Sequence, residues 1–290
     1  MLKTTVNRVW NRYVRSDWKL GAGLLIVVIL LLFGPMGATL VPEERARLGS
    51  SGFAEPPSRQ HPLGTDTTGR DVLALMVYGT PPTLKVGFLA GGIGTIVGVI
   101  LGLLSGYYRG FTDTLIRSAA DVALTIPALA VLVVLASFLR TTTVELMALI
   151  VAVFAWPWPT RAIRAQTLTL REQGFVSVAK LSGRTDLEIL FLEILPNLLP
   201  YIMASFVASV SGAILVSVGL QLLGLGPILT PTLGLILQFA FEYAAIVRGM
   251  WWWWGPPTLL LMLLFVGLFL ISMALDEIAN PRLKGLTEQA

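Results

Sequence analysis

The sequence predicts an all-α polytopic membrane protein with six transmembrane helices, for three reasons. Hydrophobic residues make up 55% of the 290 residues and charged residues 13%, about half the globular norm; mean hydropathy is +0.77. Apolar runs of about twenty residues recur, the length a helix needs to cross the ~30 Å hydrocarbon core. Lys and Arg collect at the edges of those runs and not on one domain, so the net charge of +4 reflects membrane topology and excludes a nucleic-acid partner. With no cysteine and a single histidine, His61, disulfides, thiolate catalysis and the usual His/Cys zinc sites are excluded, and no metal site is expected.

Residues 1–20 hold Lys3, Arg8, Arg12, Arg15 and Lys19 against Asp17, so the positive-inside rule places them in the cytoplasm. The first span, residues 21–41, is too long for a signal-peptide core and lacks a clear small-x-small cleavage site, so a retained helix is expected. Residues 42–83 form an extracytoplasmic loop in which Glu43, Glu44, Glu55, Asp66 and Asp71 balance Arg45, Arg47, Arg59 and Arg70. Residues 84–280 form a core of five further spans: Leu84–Tyr108, Leu115–Leu139, Val144–Ile163, Leu195–Leu225 and Pro257–Leu275. Residues 281–290, with Arg282 and Lys284, form a cytoplasmic tail.

Two segments need a separate placement. Arg171, Glu172, Lys180, Arg184, Asp186, Glu188 and Glu193 keep residues 171–195 out of the bilayer, since each charge costs roughly 2.5–3.5 kcal/mol at its centre. Thr232–Val247 is apolar but short, bracketed by Pro227, Pro231 and Arg248 and interrupted by Glu242. A re-entrant or interfacial half-helix keeps both termini inside; a further span is the alternative. The run Trp251–Trp254 suits an aromatic anchor at the outer interface, or sugar stacking.

The span centres hold almost no ionisable residue. Arg117 and Asp121, four apart, form a neutralising pair or a proton relay, and Glu145 lies at an outer edge. Ion-coupled carriers need ionisable groups near the midplane, so this chain is not expected to energise transport itself. In the second span Gly94, Gly98, Gly102 and Gly106 recur every fourth residue, with Gly87 and Gly91 upstream. Such a stripe lets another helix approach backbone to backbone, within the chain or across a subunit boundary.

The polar stretch has its own local order. Glu172–Leu181 favours a helix with Phe175, Val178, Ala179 and Leu181 on its apolar face. Gly183 suits a left-handed turn, Asp186 the start of a second helix to Leu195, and Pro196 its end at the membrane. Such a unit either rests on lipid headgroups or docks a soluble partner.

This stretch resembles the cytoplasmic coupling loop of ABC-importer permeases. Ser177, Val178 and Ala179 stand where that motif has Glu-Ala-Ala, Gly183 at its glycine, and Leu195 and Pro196 at its closing Leu-Pro. Ser177 and Val178 depart from the usual Glu and Ala. HPLGTDTTGRDVLALMVYGTPPTLKVG, SGYYRGFTDTLIRSAADVALTIPAL, AWPWPTRAIRAQTLTLRE, ILPNLLP and DEIANPRL are similar to segments of the dipeptide, oligopeptide and nickel class, over nearly the whole chain from His61. The resemblance implies an inner-membrane fold of six transmembrane helices with a cytoplasmic coupling-helix loop, both termini in the cytoplasm. It implies a second, similar permease, two cytoplasmic ATPase subunits that carry ATP and Mg, and an extracytoplasmic binding protein. This chain would itself be no enzyme and bind no cofactor, in keeping with the lack of a phosphate-binding loop.

The docking set carried over is Ser177, Val178, Ala179, Lys180, Gly183, Arg184, Asp186, Leu195 and Pro196. Ser205, Ser209, Ser211 and Ser217 on the fifth span either line the pathway or pack against neighbouring helices. Peptides are the implied substrates; oligosaccharides or nickel on the same scaffold, or an ion-coupled secondary transporter of another class, are the alternatives.

Overall fold

The computed structural model describes residues 18–138 and 142–279. The termini expected in the cytoplasm, residues 1–17 and 280–290, lie outside the described residues, as does Leu139. Among the described residues the only strand-like feature is an isolated bridge between Thr65 and Asp71. Helix α1 spans Trp18–Leu40, α2 Val72–Tyr108, α3 Gly110–Thr125, α4 Ala128–Ser137, α5 Val144–Ala152, α6 Pro157–Arg171, α7 Gly174–Leu181, α8 Asp186–Leu222, α9 Leu233–Glu242 and α10 Trp251–Ala279. Helices α1, α2, α8 and α10 are each long and apolar enough to cross a membrane; the bent pairs α3/α4 and α5/α6 also qualify if each is one span, which makes six.

Prolines account for most differences from the expected boundaries. Helix α2 begins at Val72, not Leu84, so the loop before it ends at residue 71. Asp71 caps α2 by accepting from the Ala74 N–H at 3.1 Å, and Pro81 and Pro82 sit inside the helix. The Pro81 ring packs on Gly34 of α1, and the Thr80 and Thr83 hydroxyls donate to the carbonyls of Met76 and Gly79 at 2.7 and 2.8 Å. The carbonyls that lose their helical donors are those of Val77 and Tyr78; the hydroxyl bonds and the packing on Gly34 hold the helix on either side of them.

The third span, expected as one helix over Leu115–Leu139, is instead α3 and α4, meeting at 78°. Pro127 forces Ile126 into extended backbone (ψ 129°), which ends α3. The fourth is likewise broken, at 47°, and its lower limb α6 continues past Ile163 to Arg171 with Pro157 in its first turn. Pro196 does the opposite of what the sequence suggests: it does not end a helix. Residues Ile189–Ile194 adopt a π-helical register, and Pro196 lies in the first turn of regular helix that follows, so α8 runs unbroken from Asp186 to Leu222. Between the fifth and sixth spans α9 has ten residues, about 15 Å of helix, too short to cross; it is a buried half-helix at the upper end of the bundle.

The upper end, residues 42–71, is pinned to α2, α9 and α10. Asp66 accepts from the Arg70 Nε at 2.7 Å, and the Arg70 guanidinium lies 4.8 Å from the Phe239 ring of α9. His61 Nδ1 is 2.7 Å from the capping Asp71. The tryptophan run lies inside the first turns of α10, where Trp253 is fully buried and the Trp252 indole N–H donates to the Thr65 carbonyl at 3.2 Å. Only Trp251 keeps the exposed, anchor-like placement expected for the whole run.

Helix α2 is the hub of the bundle. The glycine stripe is not a subunit boundary but an internal seam: Gly94 packs on Ala155, and a Cβ at Gly98 would lie 2.5 Å from Pro159 Cβ and 3.0 Å from the Thr160 backbone nitrogen. At Gly102 it would lie 2.9 Å from the Thr160 carbonyl oxygen, and at Gly106 2.6 Å from Thr167 Cβ. The step from Gly91 to Gly94 is three residues rather than four, so the upstream glycines face elsewhere, Gly91 with its Cβ position 2.7 Å from the Val210 nitrogen of α8.

Gly98→Ala is expected to destabilise the protein by about 1–3 kcal/mol, because the new methyl meets the rigid Pro159 ring and the backbone of Trp156 and Thr160. Gly92→Ala, whose methyl would find only the Phe206 ring at 3.8 Å, should leave stability unchanged or raise it by up to about 1 kcal/mol. Thermal unfolding in detergent micelles compares the two.

Candidate functional site

At the lower end α7 lies against the base of α2. Val176 and Ala179 are buried with Leu103, Tyr107, Ile163 and Ile189. This corrects the expected apolar face: of Phe175, Val178, Ala179 and Leu181 only Ala179 turns inward, while Val178 is 63% and Leu181 89% exposed. Phe175, Val178 and Leu181, spaced three apart, form an apolar stripe left exposed by the described residues.

The turn after α7 is fully hydrogen bonded. Gly183 has φ of +76°, its N–H donates to the Lys180 carbonyl at 3.0 Å, and the Arg184 N–H reaches back to the Ala179 carbonyl at 3.2 Å. That pattern is a Schellman C-cap, which glycine adopts without steric cost. The next helix begins at Asp186, as expected, with Thr185 as its N-cap: the Thr185 N–H donates to Glu188 at 2.8 Å and the Glu188 N–H to the Thr185 hydroxyl at 3.4 Å.

Tyr107, in the last turn of α2, ties both limbs down. Its hydroxyl donates to Asp186 at 2.6 Å, Arg171 donates to its carbonyl, and Arg171 and Lys180 stand 5.6 and 5.5 Å from its ring. Beside it Arg164 Nε and Nη2 donate to Asp113 at 2.5 and 2.7 Å, and the Ser105 hydroxyl donates to the same carboxylate at 2.5 Å, joining α2, α3 and α6. Arg109 pairs with Glu172. Asp121 has two cationic neighbours, Arg117 at 3.6 Å and Arg161 at 3.7 Å, so the pair expected from spacing is a triad at the lower end.

The docking set therefore divides. Lys180 and Asp186 are engaged with Tyr107, Arg184 with Glu193, Gly183 forms the turn and Ala179 is buried. Ser177, Val178 and Pro196 are exposed and Leu195 is half-buried. The four serines also divide. Ser205, Ser209 and Ser211 line cavities along one side of α8. Ser217 does not: it is buried and accepts from the Gln221 amide at 2.8 Å.

Gln221 escaped sequence reasoning. Its carbonyl oxygen accepts from Thr232, which caps α9 by accepting from the Leu235 N–H at 3.1 Å, while the Leu233 N–H donates to Thr83 of α2 at 2.9 Å. The available signal was a lone amide at the end of an apolar span, placed before a Gly- and Pro-rich connection. Among the described residues no cluster of three or more His, Asp or Glu could hold a metal ion.

A family profile described as "Binding-protein-dependent transport system inner membrane component" matches residues 98–285. The glutathione transport system permease protein GsiD of Pectobacterium atrosepticum is 31% identical over 230 residues, 78% of this chain and 74% of that protein. The dipeptide transport system permease protein DppC of Alkalihalophilus pseudofirmus is 33% identical over 208 residues, 70% of this chain and 67% of that protein. The di/tripeptide transport system permease protein DppC of Pseudomonas aeruginosa is 29% identical over 283 residues, 95% and 91% of the two chains. Among solved structures, an inward-facing MetNI methionine ABC transporter chain superimposes with a TM-score of 0.56 at 21% identity, covering 71% of this chain and 95% of that one, a likeness of fold.

Tyr107→Phe removes the hydrogen bond to Asp186, a contact to a charged group worth about 1.5 kcal/mol or more. Amide hydrogen exchange in residues 182–188 is expected to speed up by roughly tenfold, with exchange in α2 unchanged. Mass spectrometry of the exchanged protein reads both regions at once.

Proposed function

The chain belongs to the family of binding-protein-dependent transport system inner membrane components, and from that premise we propose that it forms, with a second permease, the route by which peptides enter the cell. It is a multi-pass permease subunit of an ABC importer of the inner membrane. Peptide cargo is supported by the relatives, whose names specify glutathione, dipeptides and di/tripeptides. The observation that carries the coupling role is the uncovered stripe Phe175, Val178 and Leu181, held on a loop that Tyr107 keeps rigid.

In this reading the lower end faces the cytoplasm, in keeping with its basic residues Arg109, Arg117, Arg161, Arg164, Arg171, Lys180 and Arg184. Both termini lie on the same side. Two soluble ATPase subunits, which carry ATP and Mg, take the stripe into surface grooves, one for each permease. A binding protein delivers substrate to the upper end. Movement of the loop reaches the membrane by two rigid links. One is Tyr107 into α2. The other is α8 itself, 37 residues without a break, about 55 Å long, so a tilt imposed at Asp186 is carried through the span. The chain contributes no phosphate chemistry; it converts a displacement at α7 into a change in the groove along α8.

Val178→Asp places a charge in the stripe without touching the core. Uptake and substrate-stimulated ATP hydrolysis by the reconstituted complex should both fall by about tenfold or more, as for a central interface anchor, with thermal unfolding of the permease unchanged. Full coupling in that variant refutes the docking role. A binding screen of the cognate binding protein against peptides, oligosaccharides and nickel tests the cargo, and tight binding of peptides alone is the expected result.

A further inference from the structure

Three cavities adjoin along one side of α8. The highest lies between α8 and the α4/α5 limbs and is lined by Leu132, Val151 and Gly212. A second lies between α8 and α10, against Phe265 and Phe269. The lowest, between α6, α8 and α10, is lined by Gln166, Ser205, Ser272 and Asp276. Ala208 borders all three, so they follow one another as a groove along that side of α8. Its walls are mainly apolar until the lower end, where these polar side chains gather around the one carboxylate among its lining residues.

Asp276 is placed there by the helix and not by a salt bridge. Its neighbour Glu277, about 100° further round α10, turns away from the groove and pairs with Lys19 of α1. Asp276 has no ion pair or hydrogen bond among the described residues, and it is exposed on the groove wall. A carboxylate that faces a groove within a helix bundle, with no partner among the described residues, points to a path for a charged species.

We propose that Asp276 is a charge-selecting residue of the translocation route, which attracts the cationic end of the cargo, the ammonium terminus of a peptide, as it leaves the apolar part of the groove. The proposal rests on this chain lining the route of an importer. The negative charge lowers the energy of a cation where the walls no longer shield it, and it repels an isolated carboxylate at the same point. Gln166, with no side-chain hydrogen bond among the described residues, and Ser272, one turn before Asp276, are the polar groups closest at hand for the rest of the solvation shell.

The chain contains no cysteine, so Ser272→Cys provides a unique thiol on this subunit, one helical turn from Asp276. In the assembled complex in vesicles, that thiol is exposed to a trimethylammonium methanethiosulfonate and to a sulfonate methanethiosulfonate. The cationic reagent should react several-fold faster relative to its rate with a free thiol, and Asp276→Asn in the same background should erase the preference. Equal relative rates with Asp276 present overturn the charge selection while leaving the route in place; no reaction with either reagent overturns the groove as an aqueous route. In the complex without the introduced thiol, Asp276→Asn should lower the maximal uptake of trialanine about tenfold, with its affinity for the separate binding protein unchanged and with Asp276→Glu close to normal. Undiminished uptake by Asp276→Asn overturns the proposal. Failure of the unsubstituted complex to take up trialanine contradicts the peptide cargo instead, and the thiol rates then decide the role of Asp276 independently.

Discussion

Backbone contact along α2 is the constraint on which the rest of the bundle depends. In a bilayer, lipid tails are as apolar as leucine, so helices gain little from hiding apolar side chains against one another and associate through close packing and hydrogen bonds. Gly94, Gly98, Gly102 and Gly106 let α6 and the bend before it close on the lower part of α2, and Gly87 and Gly91 admit α8 above them. The change of neighbour follows from one three-residue step in a four-residue pattern. Because α2 holds both, α6 and α8 lie beside each other, and the groove that ends at Asp276 runs between them and α10.

The same helix joins the two ends of the molecule. Above, Asp71 caps it and is itself held by His61, while Asp66 and Arg70 brace the preceding loop on Phe239. Below, Tyr107 clamps the turn at Gly183. A loop of this size would be mobile if it rested on headgroups alone; instead its polar backbone groups close on themselves through a Schellman turn and a capping box. The outward stripe stays exposed. Lys180, Arg184 and Asp186, also expected as docking contacts, engage Tyr107 and Glu193 within the chain while staying exposed.

Much of this was legible in sequence because the signals are local. The Gly183 turn follows from the steric freedom of glycine, the polar loop from the cost of charge in hydrocarbon, and the short α9 from its length and brackets. The apolar face of α7 was misjudged because the segment is apolar nearly all round: Phe175, Val176, Val178, Ala179 and Leu181 leave two candidate faces, and only the position of Tyr107 and Ile163 selects Val176 with Ala179. Serines of the fifth span were equally ambiguous. Ser217 is spent on Gln221, and Gln221 on Thr232, a pairing between residues whose contact depends on where α9 folds back.

By itself the sequence determined the membrane class, the number of apolar crossings, the polar loop between the fourth and fifth of them, and the need for a close helix seam. These depend on transfer free energies and glycine spacing, which are properties of a segment. Tertiary structure alone decided which prolines break a helix. Pro81 and Pro82 are absorbed because Gly34 receives a ring and threonine hydroxyls satisfy nearby carbonyls, Pro196 because a π-helical register precedes it, while Pro127 has no such support and ends α3. It also decided which charges are spent and which remain available: Glu277 and Asp276 are adjacent in sequence, yet one closes onto Lys19 and the other faces the groove, because a helix turns its consecutive residues to different neighbours.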